Sequence, residues 1–304
     1  MLNRIYDEIT FRKLEIFLVF LETGNLARAA NQLGVSPASV HRALHSLEEG
    51  VRCSLFRTDG RNLAPTEAAF TLAESAKEVI NAMSNGIRAT REKAGYGADN
   101  IAIGSLYSLT NQVIPAIVKS LKLRRPDIET TLVLGSNADL VRKLHDGSVD
   151  AALIGQVDET PEIESQLLFE DEIFFATQEG SLLGDMAEVD LSKCAHERFV
   201  SLGDGFVTNN AFVTAFKVAG FNPNIVMKTG DIFSLINLVA GGIGGTLLPG
   251  RVKSILPREV KLVPLMAKFA QPQRICVCFL RSRERDPNLL ALLATCRGYK
   301  SATS

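Results

Sequence analysis

The chain has 304 residues, 46% apolar and 22% charged, with 33 basic side chains against 34 acidic ones for a formal charge of -1. At about 150 residues per domain this length predicts two domains, and the apolar share supplies real cores, which excludes a largely disordered chain. The charge balance excludes a histone-like polybasic protein, though not a nucleic-acid binder whose contacts gather in one patch.

The first elements are helical. Leu14, Phe17, Leu18 and Leu21 recur at helical spacing, and Gly24-Asn25 ends that helix. Its apolar run from Ile16 to Leu21 is far short of a membrane span of about 20 residues. Asp7, Glu8 and Glu15 lie where a signal peptide would be basic, so no membrane partner is expected. Leu26, Ala29, Ala30 and Leu33 form a second, short helix closed by Gly34. Ser36 is placed to cap a third, with Pro37 at the first position, where its missing N–H is harmless. Val40, Leu44 and Leu47 face inward from this helix. Cys53 to Pro65 has few helix formers and carries Asp59-Gly60 as a turn, which predicts a two-stranded wing.

A turn at Gly34 between two short helices, with small Ala29 and Ala30 permitting close packing, is what a helix-turn-helix needs. The outer side of the third helix shows Ser36, Ala38, Ser39, His41, Arg42 and His45. Small residues let a helix approach base edges, and an arginine can bind guanine through two bonds. The same face also fits a three-helix packing unit with a solvated polar side, since Glu48 and Glu49 share the helix. His41 and His45 have a metal-ligand spacing that Glu49 continues, but no further ligand is near and no metal is expected.

One long helix is predicted from Thr66, its N-cap, to about Lys93, roughly 40 Å in length. Ala69, Leu72, Ala76, Val79, Met83 and Gly86 form a narrow, regular seam that Ile80 and Ile87 widen. Such a seam predicts pairing with a second copy; the competing arrangement lays the helix on its own domain. Gly95 to Asp99 reads as a linker.

From Asn100 onward strands and helices alternate. Ile101–Gly104, Val113–Leu123, Glu129–Leu134, Leu140–Leu144 and Asp150–Ile154 make a βαβαβ pattern, hence a parallel sheet flanked by helices. A second unit follows through Glu172–Ala176, Phe199–Leu202, Phe212–Val218, Ile225–Lys228, Leu235–Ala240 and Gly245–Leu248. The chain closes with strand Ile275–Phe279 and helix Asn288–Thr295. Cys276 and Cys278 read as part of a buried strand, and five scattered cysteines predict a reduced, cytoplasmic protein without a disulfide framework. There is no P-loop. The glycines of Gly241 to Pro249 leave a helix and enter a strand, the reverse of the dinucleotide fingerprint, so they read as a tight turn. No histidine stands beside a serine or cysteine nucleophile motif, so no enzyme and no cofactor is expected.

The run Asn25-Leu-Ala-Arg-Ala-Ala30, then Val35-Ser36, Arg42, Leu47-Glu-Glu49, Leu55-Phe56, Arg61 and Thr66-Glu-Ala68, resembles the opening of the LysR-type transcriptional regulators. The resemblance implies an α/β protein with an all-α winged helix-turn-helix domain over 1–66 and a linker helix and hinge over 67–99. Residues 100–304 would form a two-lobed, periplasmic-binding-protein-like effector domain. Lobe I would take about 100–160 and 270–304, and lobe II about 161–269, with hinge strands near Gln156–Phe169 and Leu265–Arg274. It further implies that Ser36 and Ser39 position the third helix on the DNA backbone, with Pro37, Ala38 and His41 on the same face. Arg42 would enter the major groove and Arg61 the minor groove, or hold a phosphate. Pro37-Ala38-Ser39-Val40-His41 departs from the family's Gln-Pro-Ala-Leu-Ser, Val51-Arg52 from its Leu-Gly and Ala69 from its closing Gly, which predicts an altered base preference.

Ligands of open α/β sheets sit at the carboxyl ends of strands, near helix N-termini. Here these places hold Ser105, Tyr107, Ser108 and Leu109 after the first strand and Ser136 and Asn137 after the second. By resemblance Ser108 and Ser136 are effector contacts, matched in the second lobe by Ser201 and Thr246; each serine also fits a helix cap with no ligand. The implied partners are promoter DNA, a small-molecule effector such as a small organic acid, RNA polymerase, and further copies of the chain in a homodimer or homotetramer. No arginine pair stands out in the predicted cleft. The rival readings are a winged module fused to a metabolic enzyme, and a solute-binding transport protein, which the acidic start disfavours.

Overall fold

The computed structural model describes residues 8–59, 62–93, 100–158, 160–270 and 272–303. The chain divides into two compact units, residues 1–97 and 98–304.

In the first unit, α1 (Phe11–Thr23), α2 (Leu26–Leu33) and α3 (Pro37–Val51) precede β1 (Phe56–Asp59), β2 (Asn62–Pro65) and the long α4 (Glu67–Lys93). Each short helix is closed by local chemistry. Asn25 Oδ1 accepts the N–H groups of Ala27 and Arg28, and Gly24 and Gly34 take left-handed φ of 61° and 64° at the C-caps. The core forms where the helices cross. Ala29 and Ala30 are buried and let α2 approach its neighbours, while the rings of Phe17 and Phe20 meet Phe56 edge-on at 5.9 and 5.2 Å. β1 and β2 pair antiparallel from Phe56↔Pro65 to Asp59↔Asn62, and the turn predicted at Gly60 lies outside the described residues.

The seam expected along α4 divides. Ala69, Ala73 and Ala76 are buried in the helical core, with Leu72 and Ile80 packed against it. The first turns of α4 therefore lie on their own domain, as the competing arrangement had it. Val79, Met83 and Ile87 each stay 46% exposed on the later turns. The linker predicted at Gly95 to Asp99 lies outside the described residues.

The second unit runs β3 (Asn100–Ser105), α5 (Val113–Arg124), β4 (Glu129–Leu134), α6 (Asn137–His145), β5 (Ala151–Gly155), β6 (Ile163–Asp171) and β7 (Ile173–Gln178). It continues with β8 (Arg198–Leu202), α7 (Val207–Ala219), β9 (Asn224–Thr229), α8 (Ile232–Ala240), β10 (Thr246–Pro249), β11 (Val260–Pro264), β12 (Gln273–Leu280) and α9 (Pro287–Thr303). The first sheet has the order β4-β3-β5-β12-β6. β3 is parallel to β4 and β5, as the βαβαβ pattern predicts, but β12 runs antiparallel to both β5 and β6. The sheet is thus mixed rather than parallel, because its last two strands carry the chain out of the lobe and back.

That pairing also corrects the expected lobe boundary near residue 161. β6 hydrogen-bonds along β12 from Ile163 to Asp171, so it belongs to the first sheet and the crossing falls between β6 and β7. In the second lobe β7 is flanked antiparallel by β10 and β11, while β8 and β9 pair in parallel. Gly245 joins this three-stranded sheet to the β8–β9 pair, accepting from Val200 N and donating to Arg198 O, both at 2.9 Å. The glycines there serve close approach: a Cβ on Gly244 would lie 2.7 Å from the Arg198 carbonyl.

A charged cluster closes the first lobe. Arg283 pairs with both Asp150 and Asp286, and all three are largely buried. Asp150 also accepts from Ala102 N at 2.7 Å, and Asp286 caps α9 through Asn288 N and Leu289 N at 2.8 and 3.1 Å. Arg283→Met withdraws the shared cation from two buried carboxylates. We expect a loss of about 3 kcal/mol, read as a lower urea midpoint than that of the parent chain.

Candidate functional site

Two places combine exposed or cleft-facing polar groups with a rigid support. The first is the outer face of α3. Ser36 Oγ caps the helix by accepting from Ser39 N at 3.1 Å and shares a 2.9 Å hydrogen bond with Ser39 Oγ. Arg42 Nη2 reaches the same Ser39 hydroxyl at 3.4 Å. Ser36, Pro37, Ala38, His41 and Arg42 are exposed and Ser39 half-buried, while Val40, Ala43, Leu44 and Leu47 turn into the core. The face is therefore carried by an apolar seam on the opposite side of the helix.

Glu48 shares the helix but turns its charge away from that face. Its Oε1 accepts the N–H groups of Leu55 and Phe56 at 2.8 and 3.0 Å, which anchors the start of β1 to α3. Lys13 Nζ donates to Ser46 Oγ at 2.8 Å and ties α1 to the same helix. His45 meets Glu49 at 3.4 Å as an exposed pair. Among the described residues no group of three His, Cys, Asp or Glu is placed to hold a metal ion. Arg61 lies outside the described residues. Arg52, where the family pattern has glycine, caps α3 with a left-handed φ of 57°.

The second place is a cleft in the α/β unit, with about 260 Å³ of empty space including its open mouth. Leu106, Tyr107 and Ser108, which follow β3, form one wall. Leu202 at the end of β8, the segment Phe206-Val207-Thr208 that opens α7, and Ile232 form the other. Arg251 lies between them. Its Nε donates to Ser108 Oγ at 2.8 Å, its Nη1 to Asp171 Oδ2 at 2.9 Å and its Nη2 to Gln273 Oε1 at 2.9 Å. Burial pulls the guanidinium below its ordinary pKa, and the Asp171 carboxylate works against that shift. A guanidinium has five N–H donors, so one on each Nη remains beyond these three bonds.

Two further features lie at or beside the cleft. No side chain caps α7 at Phe206, so its first-turn amides, which open onto the cleft, keep their donors. Ser201, at the end of β8, is only 1% exposed and its Oγ has no hydrogen-bond partner. A buried hydroxyl without a partner is uncommon, and Ser201 adjoins Leu202 of the cleft without lining it.

The residues expected to touch a ligand separate into three groups. Tyr107 and Ser108 line the cleft. Ser105 and Leu109 do not: both are fully buried, the Ser105 hydroxyl donates to Leu106 O at 3.0 Å, and Leu109 sits in the apolar core. Ser136 and Asn137 are half-buried scaffold. Ser136 Oγ caps α6 by accepting from Asp139 N at 3.2 Å. Asn137 bonds Gly155 with both ends of its amide, at 2.9 and 3.0 Å. Thr246 is buried in β10 opposite Ala176, away from the cleft walls. Arg251 escaped the sequence reading. The only trace it leaves there is a lone charge inside the apolar run Thr246 to Val252.

The cysteines take no part in either place. Burial pushes the Cys194 thiol up to about 11 and those of Cys278 and Cys296 up to about 12, while Cys53 is exposed. Since the thiolate is the reactive form, a disulfide reagent at neutral pH should titrate Cys53 rapidly and the remaining thiols only on unfolding. More than one fast equivalent per native chain would contradict this placement.

Residues 11–70 match the profile of the bacterial regulatory helix-turn-helix proteins of the lysR family, and residues 95–300 match that of the LysR substrate binding domain. The chain is 46% identical to the malonate utilization transcriptional regulator of Klebsiella pneumoniae over 98% of both proteins. It is 26% identical to the transcriptional dual regulator GltC of Bacillus subtilis (strain 168), over 91% of this chain and 93% of that one. Among solved structures, full-length CbnR complexed with its target DNA shares the fold with a TM-score of 0.71 at 18% identity, covering 96% of this chain and 100% of that one. The effector binding domain of QuiR in complex with shikimate shares it with a TM-score of 0.60 at 18% identity, over 67% of this chain and 97% of that one. Matched at both its DNA-binding and its ligand-binding parts, and along almost its full length by a regulator, the chain belongs to the LysR family of transcriptional regulators.

Proposed function

We propose that this regulator reads a promoter through the outer face of α3 and responds to a short carboxylic acid held in the cleft of its α/β unit. The observation that carries the effector reading is Arg251, buried at the cleft with an N–H still available on each Nη. Ser108 accepts from Arg251 and keeps its own proton to donate to a carboxylate oxygen. The uncapped start of α7 adds main-chain amides and the positive end of a helix dipole. The name of the relative from Klebsiella pneumoniae, a malonate utilization regulator, supports a short organic acid as the ligand class and makes malonate a natural first probe.

Ser36, Ser39 and Arg42 hold the DNA-facing side, with Pro37, Ala38 and His41 beside them and Arg61 at the wing. Two copies pair through the exposed stripe of Val79, Met83 and Ile87 on α4, and pairs of dimers form a tetramer on DNA. Promoter-bound RNA polymerase is the further partner. Ligand closes the two lobes on each other, and it shifts the promoter complex only as far as it binds one arrangement more tightly than the other. The chain works as a binding protein and not as an enzyme. Among the described residues that line the cleft, the polar groups are a paired guanidinium, hydroxyls and amides. It works in the cytoplasm, where promoters are; no described helix is long and apolar enough to cross a membrane.

Two measurements test this reading. Arg42→Ala should weaken binding to the DNA upstream of the chain's own gene by about 1 to 3 kcal/mol in fluorescence anisotropy, and leave binding to scrambled DNA nearly unchanged. Equal affinity of variant and parent for the native site removes Arg42 from the reading face. In titration calorimetry malonate should bind once per chain, and Ser108→Ala should lower its affinity about tenfold, near 1.4 kcal/mol, with promoter binding intact. Absence of heat with malonate and with other short carboxylates would sink the effector assignment.

A further inference from the structure

Arg251 does not meet the cleft as a bare cation. Asp171 Oδ2 stands 2.9 Å from its Nη1 and 3.1 Å from its main-chain N, and the two side chains are 7% and 12% exposed for Arg251 and Asp171. The chain is shaped for that approach. A Cβ at Gly250 would lie 2.9 Å from Asp171 Oδ1 and 3.1 Å from the Phe174 ring, so glycine there leaves the carboxylate its seat. Gln273 takes a further N–H of the guanidinium and is itself steadied by donating to Thr208 Oγ1 at 3.3 Å. The carboxylate ends β6 and the amide begins β12, the two strands that leave and re-enter the first sheet.

One positive and one negative charge thus cancel beside the cleft, and the side chains of Leu106, Leu202, Val207 and Ile232 bring none. We propose that Asp171 is the charge-selecting residue of this cleft: as the resident counter-ion of Arg251 it admits a ligand with one anionic carboxylate and penalises a second. The proposal rests on the carboxylate reading of the same cleft. A ligand carboxylate on the remaining Nη donors shares one guanidinium with Asp171. Every negative charge the ligand carries is repelled by Asp171 across a few ångströms of poorly screened space. A monoanion meets that repulsion once, a dianion twice and a neutral amide not at all.

The test is calorimetry on the full chain and on Asp171→Asn, which removes the charge and keeps the shape. The probes are malonate (a dianion at neutral pH), its half-amide malonamate (a monoanion) and the neutral diamide malonamide. The parent chain should bind malonamate at least as tightly as malonate. In Asp171→Asn the affinity for malonate should rise tenfold or more, that for malonamate by less, and that for malonamide not at all. An equal change for all three, or none, overturns the proposal. If the variant fails to fold, the parent chain decides, since a tenfold preference for malonate over malonamate overturns it as well. Binding of malonate by the variant alone would uphold the counter-ion and remove malonate as the natural effector. Binding of no carboxylate by either protein would end both readings.

Discussion

A guanidinium taken out of water has to find acceptors for its N–H groups and an opposite charge for its own, and Arg251 finds them on three separate pieces of chain. Ser108 comes from the turn after β3, Asp171 from the end of β6 and Gln273 from the start of β12. These pieces belong to the first lobe and to both strands that connect it with the second, whereas Arg251 itself follows β10. Satisfying one buried cation therefore ties the second lobe to the first, beside the bonds of Asn111 and Gln112 to Ser254. The cation at the cleft is thus held in one orientation by three partners and is not carried on a mobile side chain.

The DNA-reading unit relies on a different economy, in which nearly every polar contact is local. Asn25, Ser36 and Thr66 cap helices within three residues of themselves, and Gly24 and Gly34 close them by backbone conformation alone. Some side chains reach further, among them Lys13, which donates to Ser46, and Glu48. By accepting two amides at the start of β1 Glu48 leaves the outer face of α3 and couples the wing to that helix. The consequence is electrostatic: one acidic charge is turned away from the outer face of α3 and toward the start of β1. The division of α4 follows from geometry in the same way, because a straight helix that leaves a small domain can lie against it for only a few turns.

The serines show how one residue type serves two ends. Ser36 and Ser136 stand before helices and use their hydroxyls as caps. Ser108 lies in the helical turn that follows β3, and Ser201 lies one residue before the end of β8. The first is engaged by a guanidinium from the other lobe, and the second has no hydrogen-bond partner. Sequence position predicts that such a hydroxyl is near a strand end; it does not say whether the nearest N–H belongs to its own helix or to a distant part of the chain.

What the sequence determined by itself is whatever depends on neighbours a few residues apart. The three short helices and their caps, the wing, the long helix and the first βαβαβ unit all follow from periodicity, turn residues and cap residues, and the motif along the first helices carries the family. Only the tertiary structure decided the features built from residues far apart in the chain. The antiparallel return of β12, the membership of β6 in the first sheet, and the burial of Ser105 and Leu109 depend on which strands pair. The assembly of Arg251 with Ser108, Asp171 and Gln273 spans from residue 108 to residue 273. A lone arginine in an apolar run carries no sign of its partners, because a hydrogen bond across such a separation is a property of the folded packing and leaves no local pattern to read.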